Sequence, residues 1–182
     1  ITLLIFLIIN IFFSKLLWAN DQFNFDVTEI KITENGNIYK GVKGGKVTTN
    51  NGVILTAREF EYNKYLNILE ARGDVELIDE INNVIIETNE AIYLKNEEKI
   101  LTKGMSKATQ EGIEITAENF EYNKILNIIN ANQNVKMIDV DNEYVIFADN
   151  VNYFKNLEKI LAEGNTKATL ENRYNFYSDD VI

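Results

Sequence analysis

The sequence predicts an all-β protein built from antiparallel repeats, with a sandwich, roll or solenoid as the possible layouts. Three observations predict it. Apolar and polar residues alternate with a period of two beyond residue 20. The short apolar runs are bounded by Asn, Asp and Gly. The chain also repeats itself, and a repeat has to be recognised before any fold is assigned.

The repeat is visible first in FEYNK, which stands at Phe60–Lys64 and again at Phe120–Lys124. Residues 52–109 laid on 112–169 without a gap give 28 identical pairs out of 58, so a structural unit has been duplicated. A shorter unit lies inside it. The pattern A-[DE]-N-[FV]-x-Y begins at Ala117 and Ala148, with looser copies from Ala57, Thr88 and Ser178. The true unit is therefore about thirty residues.

Within a unit, Phe120 and Tyr122 share one side of a strand. Asn123-Lys124 makes a turn, Leu126 and Ile128 belong to the next strand, and Asn132–Asn134 turns the chain again before Val135 and Met137. Gly73, Gly104 and Gly164 occupy matching positions where positive φ is expected, with Gln133 at the fourth. Asn35-Gly36 and Asn51-Gly52 are hairpin signals.

Composition removes whole classes of function. The 182 residues contain no Cys, His or Pro. Thiolate and imidazole metal sites, Ser-His and Cys-His nucleophile pairs and a disulfide framework are excluded. A net charge of −10 argues against nucleic acid as a partner. Glu97-Glu98, Asp79-Glu80 and Asp179-Asp180 are adjacent carboxylates at turns and read as solvated surface. Neither an enzyme nor a cofactor is expected.

The first thirteen residues, ITLLIFLIINIFF, are too few to span a bilayer, and Lys15 follows them. They read as the core of a secretory signal peptide over residues 1–19, with cleavage after Ala19. A retained membrane anchor is the rival reading. The domain then runs over 20–182, and both ends read as truncated.

A unit of the form A-[DE]-x-[FV]-x-Y-x-K, an apolar strand and A-x-G-[DN]-V resembles the OstA-like repeat of lipopolysaccharide-transport proteins. Here it stands as Ala57, Phe60, Tyr62, Lys64, Ala71, Gly73, Asp74 and Val75. Within that LptA, LptC and LptD family, FNFDVTEIKITENGNIYKG and YNFYSDDVI are similar to the N-terminal periplasmic domain of the LptD type. The resemblance implies a β-jelly roll on the periplasmic face of the outer membrane. It implies an apolar groove for lipopolysaccharide acyl chains and edge-to-edge docking with neighbouring jelly rolls by strand addition. It also implies a membrane barrel beyond this domain, with its lipoprotein plug. The absence of Cys departs from members that lock the domain to the barrel with disulfides. The soluble and anchored members of the family remain alternatives, as does a secreted structural repeat such as an adhesin.

The groove candidates are the repeated apolar positions, which serve equally well as packed core. They are Phe60, Tyr62, Ile68, Val75, Leu77, Ile86, Tyr93 and Ile100, with Phe120, Tyr122, Ile128, Val135, Met137, Ile146, Tyr153 and Ile160. The docking candidate is the first strand, around Phe25, Val27, Glu29 and Lys31, whose mixed charges and lack of Pro leave its edge unguarded.

Overall fold

The structure is a computed structural model that describes residues 23–171 and 173–181. The proposed signal peptide lies outside the described residues. Among the described residues, fourteen strands form one antiparallel sheet. They are β1 (Phe23–Thr33), β2 (Ile38–Thr49), β3 (Val53–Ala57), β4 (Glu59–Asn63), β5 (Ile68–Asp79), β6 (Val84–Leu94), β7 (Lys99–Lys103), β8 (Ser106–Gln110), β9 (Ile113–Ala117), β10 (Asn119–Asn123), β11 (Ile128–Asp139), β12 (Tyr144–Phe154), β13 (Lys159–Leu170) and β14 (Tyr174–Val181). No helix among the described residues is long and apolar enough to cross a membrane.

The topology is simpler than the count suggests. β3 and β4 both pair with β2 and with β5, so they are two halves of one long strand. β7 with β8, and β9 with β10, are related in the same way. The chain is thus an up-and-down meander in which each repeat is one long hairpin. Most long strands are interrupted near their middle, while β1, β6, β12 and β14 run through without an extra residue. The breaks fall at Arg58, at Gly104-Met105 and at Glu118, and as register shifts between Arg72 and Val75, Asn132 and Val135, and Glu163 and Thr166.

These breaks line up into a seam. The predicted turn at Asn132–Asn134 is therefore a bulge inside the single strand β11, with Gln133 and Asn134 at φ of 66° and 53°. A bulge adds a residue and sharpens the local bend. Repeated at intervals across the sheet, it folds the sheet along one line. At the first strand pair the extra residue lies on β2. A Cβ on Gly45 would stand 2.5 Å from the Asp26 carbonyl oxygen and 2.6 Å from the Val27 Cα, so only glycine fits.

The fold can be seen in the turns. A twelve-residue strand is about 40 Å long, so turns at its opposite ends are far apart in a flat sheet. Here Asn51, after β2, donates to the Glu98 carboxylate, after β7's preceding turn has left β6, at 2.8 Å. The two halves of the sheet have closed on one another into a jelly roll. Their inner faces form one apolar core that contains Val47, Leu55, Leu77, Tyr93, Ile100 and Met137, all without solvent exposure.

Candidate functional site

Strand register places residues directly opposite one another on the same face. Two unbroken rows of apolar side chains follow from it. One runs Ile32, Tyr39, Tyr62, Leu69, Tyr93, Ile100, Tyr122, Ile129, Tyr153, Ile160. The other runs Phe25, Val47, Leu55, Leu77, Ile86, Ala108, Ile115, Met137, Ile146, Ala168, Phe176. Each thirty-residue unit contributes one tyrosine and one aliphatic residue to the first row. The repeat in the sequence is thereby a ladder across the interior.

Of the sequence candidates, Phe60, Tyr62, Val75, Leu77, Ile86, Tyr93 and Ile100 are buried in this interior, as are Phe120, Tyr122, Val135, Met137, Ile146 and Tyr153. Ile160 is half-buried against it. Ile68 and Ile128 are corrections. They pair with Asn63 and Asn123 and lie on the opposite face, while Leu69 and Ile129 take the inward places. The left-handed residues Asn67 and Asn127 (φ 58° and 52°) end the preceding turns and set that phase.

The middle of the interior is filled by side chains, and it opens at its two ends. At the β1 end, Phe23, Phe25, Ile30, Tyr39 and Tyr62 line a cavity of about 240 Å³. The rings there pack together, with Phe23 edge-on to Tyr62 at 4.7 Å and Phe25 stacked on Tyr39 at 6.1 Å. Ile30 and Ile32 are 43% and 55% exposed, although they sit on the inner face. At the β14 end, Tyr174 and Phe176 are likewise inward in register and exposed. A second cavity of about 460 Å³ lies near that end, lined by Glu111, Ile113, Asp139, Tyr144, Tyr153, Lys155 and Ile160 among others.

β1 pairs with β2 and, among the described residues, with no other strand. Its Phe25 and Val27 lean on the core. Glu29 holds Lys43 at 2.8 Å, which keeps its carboxyl below the usual carboxylate range, with Lys31 reinforcing the effect. Lys31 is exposed. β14 is the other terminal strand and pairs with β13.

The flank between the two rows of turns is closed by polar groups that sequence reasoning placed in solvent. Asp79 has no exposure and lies 3.5 Å from the Lys124 ammonium, itself 8% exposed. The Tyr122 hydroxyl donates to Asp79 at 2.7 Å, and Asn82 Nδ2 donates to the Lys124 carbonyl at 2.9 Å. Glu98 takes hydrogen bonds from Tyr93, Lys95 and Asn51. Burial pushes the Glu98 carboxyl up, but these donors outweigh it and its pKa stands below the usual value. Burial, and then the neighbouring carboxylate, pushes the phenols of Tyr93 and Tyr122 far up. Glu111 closes the series on Lys155 at 2.7 Å. The available signal was the repeated inward tyrosine beside a lysine: Tyr62 and Lys64, Tyr93 and Lys95, Tyr122 and Lys124, Tyr153 and Lys155. A buried tyrosine requires a partner for its hydroxyl.

No protein-family description matches the chain, and no curated protein sequence does. Solved structures do. The chain is similar to LptH, the LptA-homologous periplasmic component of the lipopolysaccharide transport device of Pseudomonas aeruginosa, with a TM-score of 0.56. The likeness covers 63% of this chain and 86% of that one, at 14% identity. The shared property is the fold. This chain is an all-β jelly roll of the LptA kind. No group of three or more potential ligand residues that could hold a metal ion occurs among the described residues.

Proposed function

We propose that this chain is a lipid-carrying element of a lipopolysaccharide transport bridge, exported to the periplasm, and that it corresponds to the N-terminal jelly roll of an LptD-type assembly protein. The carrying observation is that the apolar rows cross the sheet and emerge into solvent at its two edges, the first at Ile32 on β1 and the second at Phe176 on β14. A protein that only needed a core would end such rows in polar residues, because exposed apolar surface invites association. Here those two exposed ends lie on edge strands able to accept a further strand. The two features together describe a segment of a longer apolar track. The likeness in fold to LptH supports the same reading.

Acyl chains supply the affinity, at about 0.8 kcal/mol for each CH₂ buried. The domain is acidic, like its anionic cargo, so the sugar-phosphate head stays in water. The role is that of a carrier and docking module, not an enzyme. A strand added at β1 or β14 continues the roll into the preceding or following protein. In an LptD-type protein the following element is the membrane barrel with its plug.

Photo-crosslinking in cells tests the reading. A crosslinking residue at Ile30, Ile160 or Met137 is expected to capture lipopolysaccharide. One at Ile128 or Lys107, on the outer face, is expected not to. Equal capture from both faces would remove the apolar interior as the carrier.

A further inference from the structure

The polar contacts along the closed flank obey a rule. Asn51 meets Glu98, Asp79 meets Lys124, and Glu111 meets Lys155. In each case a turn of one row reaches the turn three strands further on in the other row. Tyr93 and Tyr122, whose hydroxyls bond Glu98 and Asp79, and Ile100, which lies between them in the ladder, are apolar in body and have no exposure.

Closing this flank with charge is a poor choice for stability. Withdrawing Asp79 and Lys124 from water costs more than an apolar filling of similar volume would. The same junction holds Gln110, which donates to the Asn82 carbonyl at 2.7 Å and to Asn127 at 3.1 Å while its own buried carbonyl oxygen has no partner. Such groups lose little when the two rows separate, because water re-solvates both partners. The seam opposite the clasp concentrates the left-handed residues Gly73, Asp74, Gln133, Asn134, Gly164 and Asn165, so bending there leaves the ladders on either side intact.

We infer that the Asp79–Lys124 and Asn51–Glu98 contacts form a clasp that opens, with the seam as its hinge, and that it admits an apolar ligand to the interior through the flank rather than only through the ends. Opening is a property of the fold. Its use for acyl chains rests on the function proposed above.

The lack of cysteine allows a direct test in the whole chain. Ile100→Cys places a thiol in the interior between Tyr93 and Tyr122, directly behind the clasp, and Ala71→Cys places one beside the seam. Both are labelled with a maleimide under native conditions. Lys124→Met is expected to speed labelling at Ile100→Cys at least about tenfold and to leave Ala71→Cys unchanged. Should Lys124→Met fold poorly, Glu98→Gln weakens the clasp more gently and is expected to act in the same direction. A parallel rise at both thiols means global unfolding and overturns the clasp, as does no rise at either. In a second arm, Asn51→Cys and Glu98→Cys are joined by a short cleavable bis-maleimide, and binding of a fluorescent fatty acid is followed. Binding lost on joining and restored on cleavage supports the flank route, and undiminished binding overturns it. Labelling that responds as stated while lipopolysaccharide fails to bind leaves the clasp standing and removes the proposed cargo.

Discussion

The Tyr122 hydroxyl donates to the Asp79 carboxylate at 2.7 Å, although the two residues belong to turns and strands on opposite halves of the folded sheet. The bond exists only when the sheet is closed. Lys124 and the Asn82 amide complete the same carboxylate. Tyr122→Phe removes one charge-assisted bond and is expected to cost about 1.5–3 kcal/mol. Lys124→Met leaves a buried carboxylate without its counter-charge and is expected to cost about 3–5 kcal/mol. Urea unfolding of both variants checks the order, and an equal, negligible loss in each would show that the halves close without this contact.

The phase of the ladder gives a sharper packing test. Leu69 is wholly buried, and its neighbour Ile68 is half-buried on the opposite face. Leu69→Ala is expected to cost about 2–5 kcal/mol through lost transfer energy and a residual cavity. Ile68→Ala is expected to cost clearly less. The sixty-residue repeat predicts the same contrast for Ile129→Ala against Ile128→Ala. Denaturant midpoints of the four variants decide whether inward facing follows the register described here.

Much of the interior was legible because period-two alternation states which residues share a face. Phe60, Tyr62, Leu77 and Met137 were found in that way. The strand phase after each turn was not, since an asparagine in a left-handed conformation shifts it by one residue and leaves no mark in hydropathy. Ile68 and Ile128 were misplaced for that reason. The seam was hidden differently. Gly73 and Gly164 signal positive φ equally well in a turn or in a bulge. The choice depends on whether the following residues pair with the same neighbouring strand, a long-range fact. The clasp was missed because adjacent turn carboxylates are usually solvated. Asp79 is buried only because a turn three strands away arrives on top of it.

Acid should weaken the closed state in a defined window. The Glu98 carboxyl is pushed up by burial but held low overall by Lys95, Tyr93 and Asn51. Asp139, despite its burial, is held low by the Asn142 side chain and backbone N–H and by Tyr144. With folded values below the ordinary 4.5 and 3.8, the unfolded chain takes up protons first as pH falls. Their contribution is complete above those ordinary values and drains as pH drops through the folded ones. The melting temperature is expected to stay level from about pH 7 to about pH 5 and to decline below about pH 4. Glu98→Gln should flatten part of that decline, and an unchanged acid slope would remove Glu98 from the account.

The free edge of β1 carries the last prediction. In an antiparallel strand successive residues direct their N–H and C=O groups to opposite sides. Of Lys31 and Ile32, then, one faces β2 and the other faces the open edge. Proline at the β2-facing position removes a ladder donor and is expected to weaken the first hairpin. Proline at the edge-facing position leaves that hairpin bonded but blocks an added strand. If β1 docks a neighbouring jelly roll, one of Lys31→Pro and Ile32→Pro should lose capture of the soluble bridge protein while keeping the circular dichroism and melting temperature of the parent. The other should lose stability. Capture retained by the variant whose fold is intact would show that the neighbour joins elsewhere, and the same pair of substitutions on β14 would then be the next to measure.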